Sequence, residues 1–234
     1  MIDETGEGLL TLALGEPDGG EDVSLAGAEL LLGAYTGRDE AAVAKHVAEL
    51  AAHGVEPPAS VPCFYAVPSE SLRLAPAALR TASATTSGEA EPVLIRTADG
   101  ELLLAVGSDH TDREVEKRSV HASKLACEKV LGREAWRLDE ALERWDDLVL
   151  TAYIDGERLY QRAPLALMRS PLELLELASA HLTDPGGPLV LFLGTVPLLD
   201  GEFLFSDRFR AVLRDPRSGH ALTCGYEIEV QPTA

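Results

Sequence analysis

Basic residues are scarce in this chain of 234 residues, in which 20 lysines and arginines stand against 39 aspartates and glutamates. The formal net charge of −19 is opposite in sign to the basic surfaces that bind nucleic acids and anionic membranes. Long hydrophobic runs are also lacking, because the longest, PLVLFLGTVPLL at 188–199, is too short to span a bilayer and is interrupted by Gly194 and Pro197. We therefore expect no nucleic acid and no membrane as partners, and we interpret this run as a buried strand.

Cysteines are few and far apart in the chain. Cys63, Cys127 and Cys224 form no Cys-x-x-Cys pair, which excludes a disulfide framework and a thiolate zinc site. The acidic first residues, MIDETGEGLL, lack the basic region with which a signal peptide begins. Both features predict a protein of the reducing cytoplasm.

Hairpins dominate the pattern of apolar segments, and the turn at Asp155-Gly156 is the strongest hairpin signal in the chain. The predicted strand pairs are 92–97 with 101–107, 148–154 with 158–161 and 208–214 with 221–230. Helical periodicity predicts helices at 39–54, 138–147 and 170–182. Ser170 and Glu173 are expected to form a capping box at the start of the last helix. Hairpins with a few separate helices predict an α+β fold on an antiparallel or mixed sheet.

Two glutamates one residue apart open the first predicted hairpin. Because side chains alternate along a strand, Glu89 and Glu91 point the same way. In the register centred on Asp99, Glu89 lies opposite Asp109, so three carboxylates converge. They cannot all stay ionised without a cation, and hard oxygen ligands favour Mg²⁺, Mn²⁺ or Ca²⁺ over zinc. The alternative is a solvated acidic strand end.

The segments around these carboxylates resemble the fumarylacetoacetate hydrolase superfamily. The matching motifs are Glu-x-Glu at 89–91, Asp-x-Thr-x-Arg-Glu at 109–114 and Ser-Lys at 123–124. The resemblance implies that Glu89, Glu91 and Asp109 bind a divalent cation, Mg²⁺ or else Mn²⁺ or Ca²⁺. It also implies that Lys124 is a catalytic residue that reaches the substrate and that Arg113 binds it. The alternatives are a surface lysine and an arginine that bridges neighbouring acids.

The resemblance continues on both sides of these motifs. Upstream, HVAELAAHG at 46–54 resembles the family's His-x-x-Glu segment, which implies that His46 and Glu49 activate water from a mobile lid. Downstream, LVLFLGTVP resembles a strand that ends in Gly-Thr-Pro, which implies that Gly194 and Thr195 bind the substrate carboxylate. The alternatives are a solvated helix face and a strand-end threonine.

More narrowly, GAYTGRD, TSGEAE and GSDHTDREVE resemble a bacterial branch of the superfamily known mainly as proteins of unknown function. The resemblance implies a mixed β-sandwich roll with a few flanking helices, usually a homodimer. It covers the chain from about residue 33 onward. We therefore predict a small N-terminal β element at 1–32 and a fumarylacetoacetate-hydrolase-like catalytic domain at 33–234.

The implied activity is that of a metal-dependent hydrolase acting on a small oxo acid. It would cleave a carbon–carbon bond in an acylpyruvate-like or β-diketo acid through a metal-stabilised enolate. Decarboxylation of a β-keto acid, isomerisation and hydration are alternatives on the same site. A relative that binds a metabolite without turnover is the alternative outside catalysis.

Overall fold

The computed structural model describes residues 10–14, 21–52 and 56–231. The strands are β1 (Thr11–Leu14), β2 (Glu21–Ser24), β3 (Glu29–Ala34), β4 (Cys63–Val67), β5 (Leu72–Leu74), β6 (Ala78–Thr81), β7 (Thr86–Ser87), β8 (Ala90–Arg96), β9 (Leu102–Ser108), β10 (Thr111–Asp112), β11 (Lys129–Arg137), β12 (Val149–Ile154), β13 (Arg158–Pro164), β14 (Leu189–Phe192), β15 (Arg208–Arg214) and β16 (Ala221–Val230). The helices are α1 (Glu40–Ala52), α2 (Arg113–Glu116), α3 (Val120–Leu125), α4 (Leu138–Leu142) and α5 (Pro171–Ala178). Short 3-10 helices lie at Ser69–Ser71, Trp145–Asp147, Leu165–Leu167 and Ser179–His181.

Two mixed sheets form the body of the fold. The larger sheet has the order β2-β1-β11-β9-β8-β14-β3-β4, with β5 also paired to β11. The smaller has the order β13-β12-β15-β16-β6, and β7 pairs with β10 outside both sheets. The three predicted hairpins are present as antiparallel pairs. Parallel pairs, β14 with β3 in the larger sheet and β16 with β6 in the smaller, make both sheets mixed. The predicted α+β class is therefore confirmed.

The central strands of the larger sheet are buried on both faces. On β8 and β9, Leu94 and Leu104 enter a core that both sheets share, whereas Ile95 and Leu103 enter a second core on the opposite face. The second core is built from residues of the larger sheet and its connections, from β2 at one end to Val67 of β4 at the other. Strands along the whole larger sheet thus contribute to this second core, while the first core lies between the two sheets. This arrangement is the predicted sandwich roll.

The helices agree in part with the sequence predictions. Helix α1 fills the predicted span 39–54 as far as its described residues go, since 53–55 lie outside them. The predicted capping box is wrong, because the Ser170 side chain makes no cap hydrogen bond and Glu173 accepts from Arg169 Nη1 at 2.5 Å instead. Within the described part of the chain, no helix is long and apolar enough to cross a membrane.

The N-terminal strands belong to the larger sheet. β1 and β2 form an antiparallel pair, and β1 runs parallel to β11. The boundary predicted after residue 32 falls inside β3, which pairs with β14 and β4. The division into a β element at 1–32 and a catalytic domain at 33–234 stays a prediction.

A buried aspartate closes the β15–β16 turn. Asp215, 1% exposed, accepts hydrogen bonds from the Arg217 backbone N–H at 2.8 Å, the Ser218 hydroxyl at 2.8 Å and Arg144 Nη1 at 2.6 Å. Burial alone would raise the pKa of Asp215, but these three donors outweigh it and lower the pKa. The ionised carboxylate therefore stabilises the folded state.

We expect Asp215→Asn to lower the free energy of unfolding by about 2 kcal/mol at neutral pH, because it weakens hydrogen bonds to a charged acceptor. A group whose pKa is lowered by folding contributes stability above its unfolded pKa, and this contribution is lost as the pH falls through the folded pKa. The difference between wild type and variant should therefore shrink as the pH drops below about 4, the ordinary aspartate pKa. Urea unfolding across pH measures it, with the exposed Asp200→Asn as control. A difference that does not change with pH would contradict this account.

Candidate metal centre

The β8–β9 hairpin brings the three predicted carboxylates together. Ala90 pairs with Ser108 and Glu91 with Gly107, which is the register centred on Asp99 that the sequence predicts. The Asp109 backbone N–H donates to the Glu89 carbonyl at 3.1 Å, so the ladder extends to these two residues. One carboxylate oxygen from each of Glu89, Glu91 and Asp109 lies within 4.8 Å of the others.

Burial makes this concentration of negative charge costly. Glu91 is 1% exposed, Asp109 is fully buried, and the Glu89 side chain is 13% exposed. Burial and the nearby charges of Asp109 and Glu89 raise the pKa of Glu91 well above the usual glutamate range. Among the described residues, no lysine or arginine forms an ion pair with Glu91. Its Oε2 accepts a hydrogen bond from the backbone N–H of Gly194 at 2.8 Å.

Two buried lysines compensate Asp109. Lys124 of α3 forms ion pairs with Asp109 Oδ2 and, at 3.2 Å, with Glu89 Oε2. Lys129, at the start of β11 and fully buried, lies 2.8 Å from Asp109 Oδ1 and donates to the His110 carbonyl at 2.7 Å. Burial alone would raise the pKa of Asp109, but these two ammonium groups lower it, so Asp109 is ionised.

Arg113 begins α2, whose N-terminus is capped by Asp112 through bonds from the Glu114 and Val115 backbone N–H groups. Arg113 Nη1 lies 3.2 Å from Glu89 Oε1 and 2.9 Å from Glu116 Oε2. With Lys124, it outweighs the effect of burial and lowers the pKa of Glu89.

The Arg113 guanidinium also lies over an aromatic ring. Its central carbon lies 3.9 Å from the centre of the Phe203 ring, a cation–π contact. The prediction that Arg113 bridges neighbouring acids is confirmed for Glu116. Its contact with substrate stays a prediction.

The loop after β14 reaches the same carboxylates. Gly194 has a φ of +94°, and a side chain there would bring a Cβ within 2.2 Å of Thr36 Oγ1, so only glycine fits. The Thr195 hydroxyl donates to the Ala90 carbonyl at 2.8 Å, between the two glutamates. Gly194 and Thr195, two of the residues predicted to bind substrate, therefore lie beside the three carboxylates, although their described hydrogen bonds are to the protein.

The predicted water-activating pair lies on α1. His46 and Glu49 fall within Glu40–Ala52, but their side chains are outside what the structure describes. Spacing of three residues on a helix places them on neighbouring positions of one face. Their role stays a prediction.

From the sequence, Lys129 is only a weaker substitute for Lys124 and Gln161 is not singled out, but the structure places both beside the carboxylates. Lys129 lies in a strand whose first four residues are all buried, where an unpaired lysine is rarely tolerated. Gln161 of β13 is fully buried and bonds to Ala90 and Thr195. A lysine or glutamine inside an apolar strand was the available signal, but it does not identify the partner.

A cation fits this donor set. The ligand atoms are hard oxygens, which Mg²⁺, Mn²⁺ and Ca²⁺ prefer. Counting Glu116, four carboxylates meet the three cations Lys124, Lys129 and Arg113, so the fully ionised cluster has an excess negative charge. Glu91 is the buried acid whose charge is left uncompensated.

The fold resembles that of solved proteins named as fumarylacetoacetate-hydrolase-type hydrolases and isomerases. A fumarylpyruvate hydrolase from Pseudomonas aeruginosa, solved with Mn²⁺ and pyruvate, has a TM-score of 0.65 at 15% identity, over 96% of this chain and 97% of its own. A candidate fumarylacetoacetate isomerase/hydrolase from Oleispira antarctica has a TM-score of 0.62 at 19% identity, over 93% and 99%. A 2-hydroxyhepta-2,4-diene-1,7-dioate isomerase from Mycobacterium marinum has a TM-score of 0.62 at 15% identity, over 88% and 76%.

The chain belongs to the DUF2848 family, described as "Protein of unknown function", whose model matches residues 33–226. No curated protein matches the chain in sequence. The predicted fold type and the predicted family of proteins of unknown function are therefore confirmed.

We expect Mg²⁺ or Mn²⁺ to raise the melting temperature of EDTA-treated protein, because a ligand that binds only the folded state stabilises it. At 100 times Kd the stabilisation is about 2.7 kcal/mol. Oxalate, which resembles the chelating end of a 2-oxo acid, should add to the shift. Glu91→Gln should abolish it, and the exposed Glu157→Gln should not. A wild-type protein that no divalent ion stabilises would leave the carboxylates as a purely structural cluster.

Lys129→Met should destabilise the metal-free protein by about 3–5 kcal/mol, because it breaks a buried ion pair and leaves Asp109 with one cation. A divalent ion would replace the lost charge, so the Mn²⁺-dependent rise in melting temperature should exceed that of wild type. Differential scanning fluorimetry with and without Mn²⁺ measures both effects. The exposed Lys117→Met is the control and should match wild type. An equal rise in the Lys129 variant would show that Lys129 does not balance the charge of this site.

Proposed function

We propose that the protein is a divalent-metal-dependent hydrolase that cleaves a carbon–carbon bond in an acylpyruvate-like or β-diketo acid. The observation that carries the proposal is the buried cluster of Glu89, Glu91 and Asp109, on which Lys124 converges. A buried cluster of acids with a lysine cation resembles an active site more than a structural core.

Glu89, Glu91 and Asp109 would hold the metal, with Mg²⁺ or Mn²⁺ as the preferred ion. When bound, the ion supplies a Lewis acid that stabilises negative charge on a keto oxygen. Its two positive charges would also turn the excess negative charge of the cluster into an excess positive charge. That change suits an anionic substrate such as a 2-oxo acid.

The solved relatives support this substrate class. The Pseudomonas aeruginosa structure contains Mn²⁺ and pyruvate, the 2-oxo acid that hydrolysis of an acylpyruvate releases. This chain and the Pseudomonas aeruginosa protein share a fold at 15% identity. The substrate class is therefore part of the proposal, and the acyl group is left open.

Lys124 would hold the substrate carboxylate or the oxyanion that forms during cleavage. Its pKa is raised because Asp109, Glu89 and Glu91 outweigh the effect of burial, so it stays a cation. A fixed positive charge in a buried site stabilises developing negative charge without reorganising. Arg113 would assist from the Glu89 side, and Gly194 and Thr195 would border the carboxylate end.

His46 would accept a proton from water, with Glu49 orienting the imidazole. The water oxygen bonds to the distal carbonyl carbon, and the bond from that carbon to the methylene group breaks. Its electron pair passes to the pyruvate fragment, which takes up a proton, and the acyl group leaves as a carboxylic acid. One water is consumed, and the products are pyruvate and that acid.

The isomerase from Mycobacterium marinum favours a second candidate, because it shares the fold at a similar TM-score. Isomerisation, hydration or β-keto acid decarboxylation would use the metal and Lys124 without His46 as a base. A non-catalytic metabolite-binding role would keep metal and oxo-acid binding alone. The predicted homodimer and cytoplasmic location remain predictions.

We expect His46→Ala to lower kcat for acylpyruvate hydrolysis by about 10² to 10⁴, because it removes general base catalysis. The Mn²⁺-dependent rise in melting temperature should be unchanged, since His46 is not a predicted ligand. Pyruvate release, coupled to lactate dehydrogenase, measures turnover. His220→Ala, in the exposed turn before β16, is the matched control. Full activity in His46→Ala would overturn the assigned base, and metal binding without turnover of any acylpyruvate would favour the second candidate.

A further inference from the structure

Three residues from distant parts of the chain form a closed ring of hydrogen bonds around the backbone between the two glutamates. The Ala90 N–H donates to Gln161 Oε1 at 3.0 Å. Gln161 Nε2 donates to Thr195 Oγ1 at 2.8 Å, and the Thr195 hydroxyl donates to the Ala90 carbonyl at 2.8 Å. Both backbone groups of Ala90 are thus held by one side-chain pair.

An irregularity in β13 places Gln161 in this ring. Ala152 pairs with Gln161, but Tyr153 pairs with Leu159, so Tyr160 is an extra residue in the ladder. Strict alternation would send adjacent side chains to opposite faces, yet Tyr160 and Gln161 are 3% and 0% exposed. A bulge of this kind re-aims a side chain, and here it turns the amide toward β8.

The chemistry of the ring requires an amide. Gln161 Nε2 also donates to the Val196 carbonyl at 2.6 Å, so both of its hydrogens are used. If the amide were reversed, its NH₂ group would face the Ala90 N–H, and two donors would oppose each other. The network therefore fixes the amide with its oxygen toward the Ala90 N–H. A glutamate could not donate to either partner.

The ring determines the position of the glutamates, because Ala90 is the residue between them. Glu89 and Glu91 leave the same side of the strand, and their separation depends on the backbone at Ala90. The loop that carries Thr195 also supplies the Gly194 N–H to Glu91 Oε2. The ring therefore joins the glutamates to the loop that meets them.

We propose that Gln161 and Thr195 are positioning residues that hold Glu89 and Glu91 at metal-binding separation. This inference rests on the proposed function, and it gives the Thr195 hydroxyl a role toward the Ala90 backbone. Partners that orient metal ligands typically account for a 10- to 100-fold change in metal affinity.

The test is Mn²⁺ affinity, read from the EPR signal of free Mn²⁺ in titrations of the full chain. Thr195→Val, which removes the hydroxyl at nearly constant shape, should weaken binding about 10-fold or more. Thr195→Ser should restore it, because the hydroxyl returns. Thr223→Val, an exposed position on β16, is the matched control and should bind as wild type.

Gln161→Met should weaken Mn²⁺ binding at least as much as Thr195→Val, since it removes all three amide bonds. Because Gln161 is buried, Gln161→Met is the variant at risk of misfolding. Thr195 is exposed, so the comparison of Thr195→Val with Thr195→Ser keeps the test decisive. Wild-type Mn²⁺ affinity in folded Thr195→Val would overturn the positioning role while leaving the metal site intact. A wild-type protein that binds no Mn²⁺ would instead overturn the proposed function and the positioning role together.

Discussion

The buried negative charge at the end of the β8–β9 hairpin is the constraint on which the rest of the site depends. Removing one ion from water costs several kcal/mol, and here three carboxylates lie within 4.8 Å of one another. The fold supports them with cations from the segment that follows β9, namely Arg113 of α2, Lys124 of α3 and Lys129 of β11. Glu91 receives a backbone N–H and no ion pair from the described residues. Under the proposed function, these carboxylates bind a divalent ion because the charge of Glu91 is not compensated by an ion pair.

The hairpin that carries the carboxylates lies in the buried centre of the larger sheet. Its strands are buried on both faces, so their side chains cannot shift without disturbing one core or the other. Gly107, opposite Glu91, shows how little space is left. A Cβ there would lie 2.7 Å from the Val130 carbonyl and 2.7 Å from the Phe192 ring. Two cores thus hold the carboxylate-bearing backbone in place. A rigid scaffold of this kind keeps a metal site at fixed geometry.

The same rigid scaffold can serve several reactions. Hydrolases and isomerases among the solved relatives share the fold at identities below 20%, so the fold alone does not select the chemistry. Under the proposed function, the carboxylates would select a hard cation and an anionic substrate, beside the positive charge of Lys124. The proposal leaves the choice between hydrolysis and the other reactions to His46 and Glu49 of α1.

Much of the site follows from the sequence because its central part is local. Side-chain alternation and a short turn centred on Asp99 were enough to place Asp109 opposite Glu89, since a hairpin fixes its own register. The three hairpins and the long helix follow from the same short-range patterns. Family motifs then extended the prediction to Lys124, Gly194 and Thr195.

Long-range packing decided what local patterns could not. Lys129 meets Asp109 only because β11 pairs with β9, and Gln161 reaches Ala90 only because the two sheets pack face to face and β13 is bulged. The sequence by itself determined which acids come together; the tertiary structure alone decided which cations and amides hold them, because those partners are matched in space and not in sequence spacing.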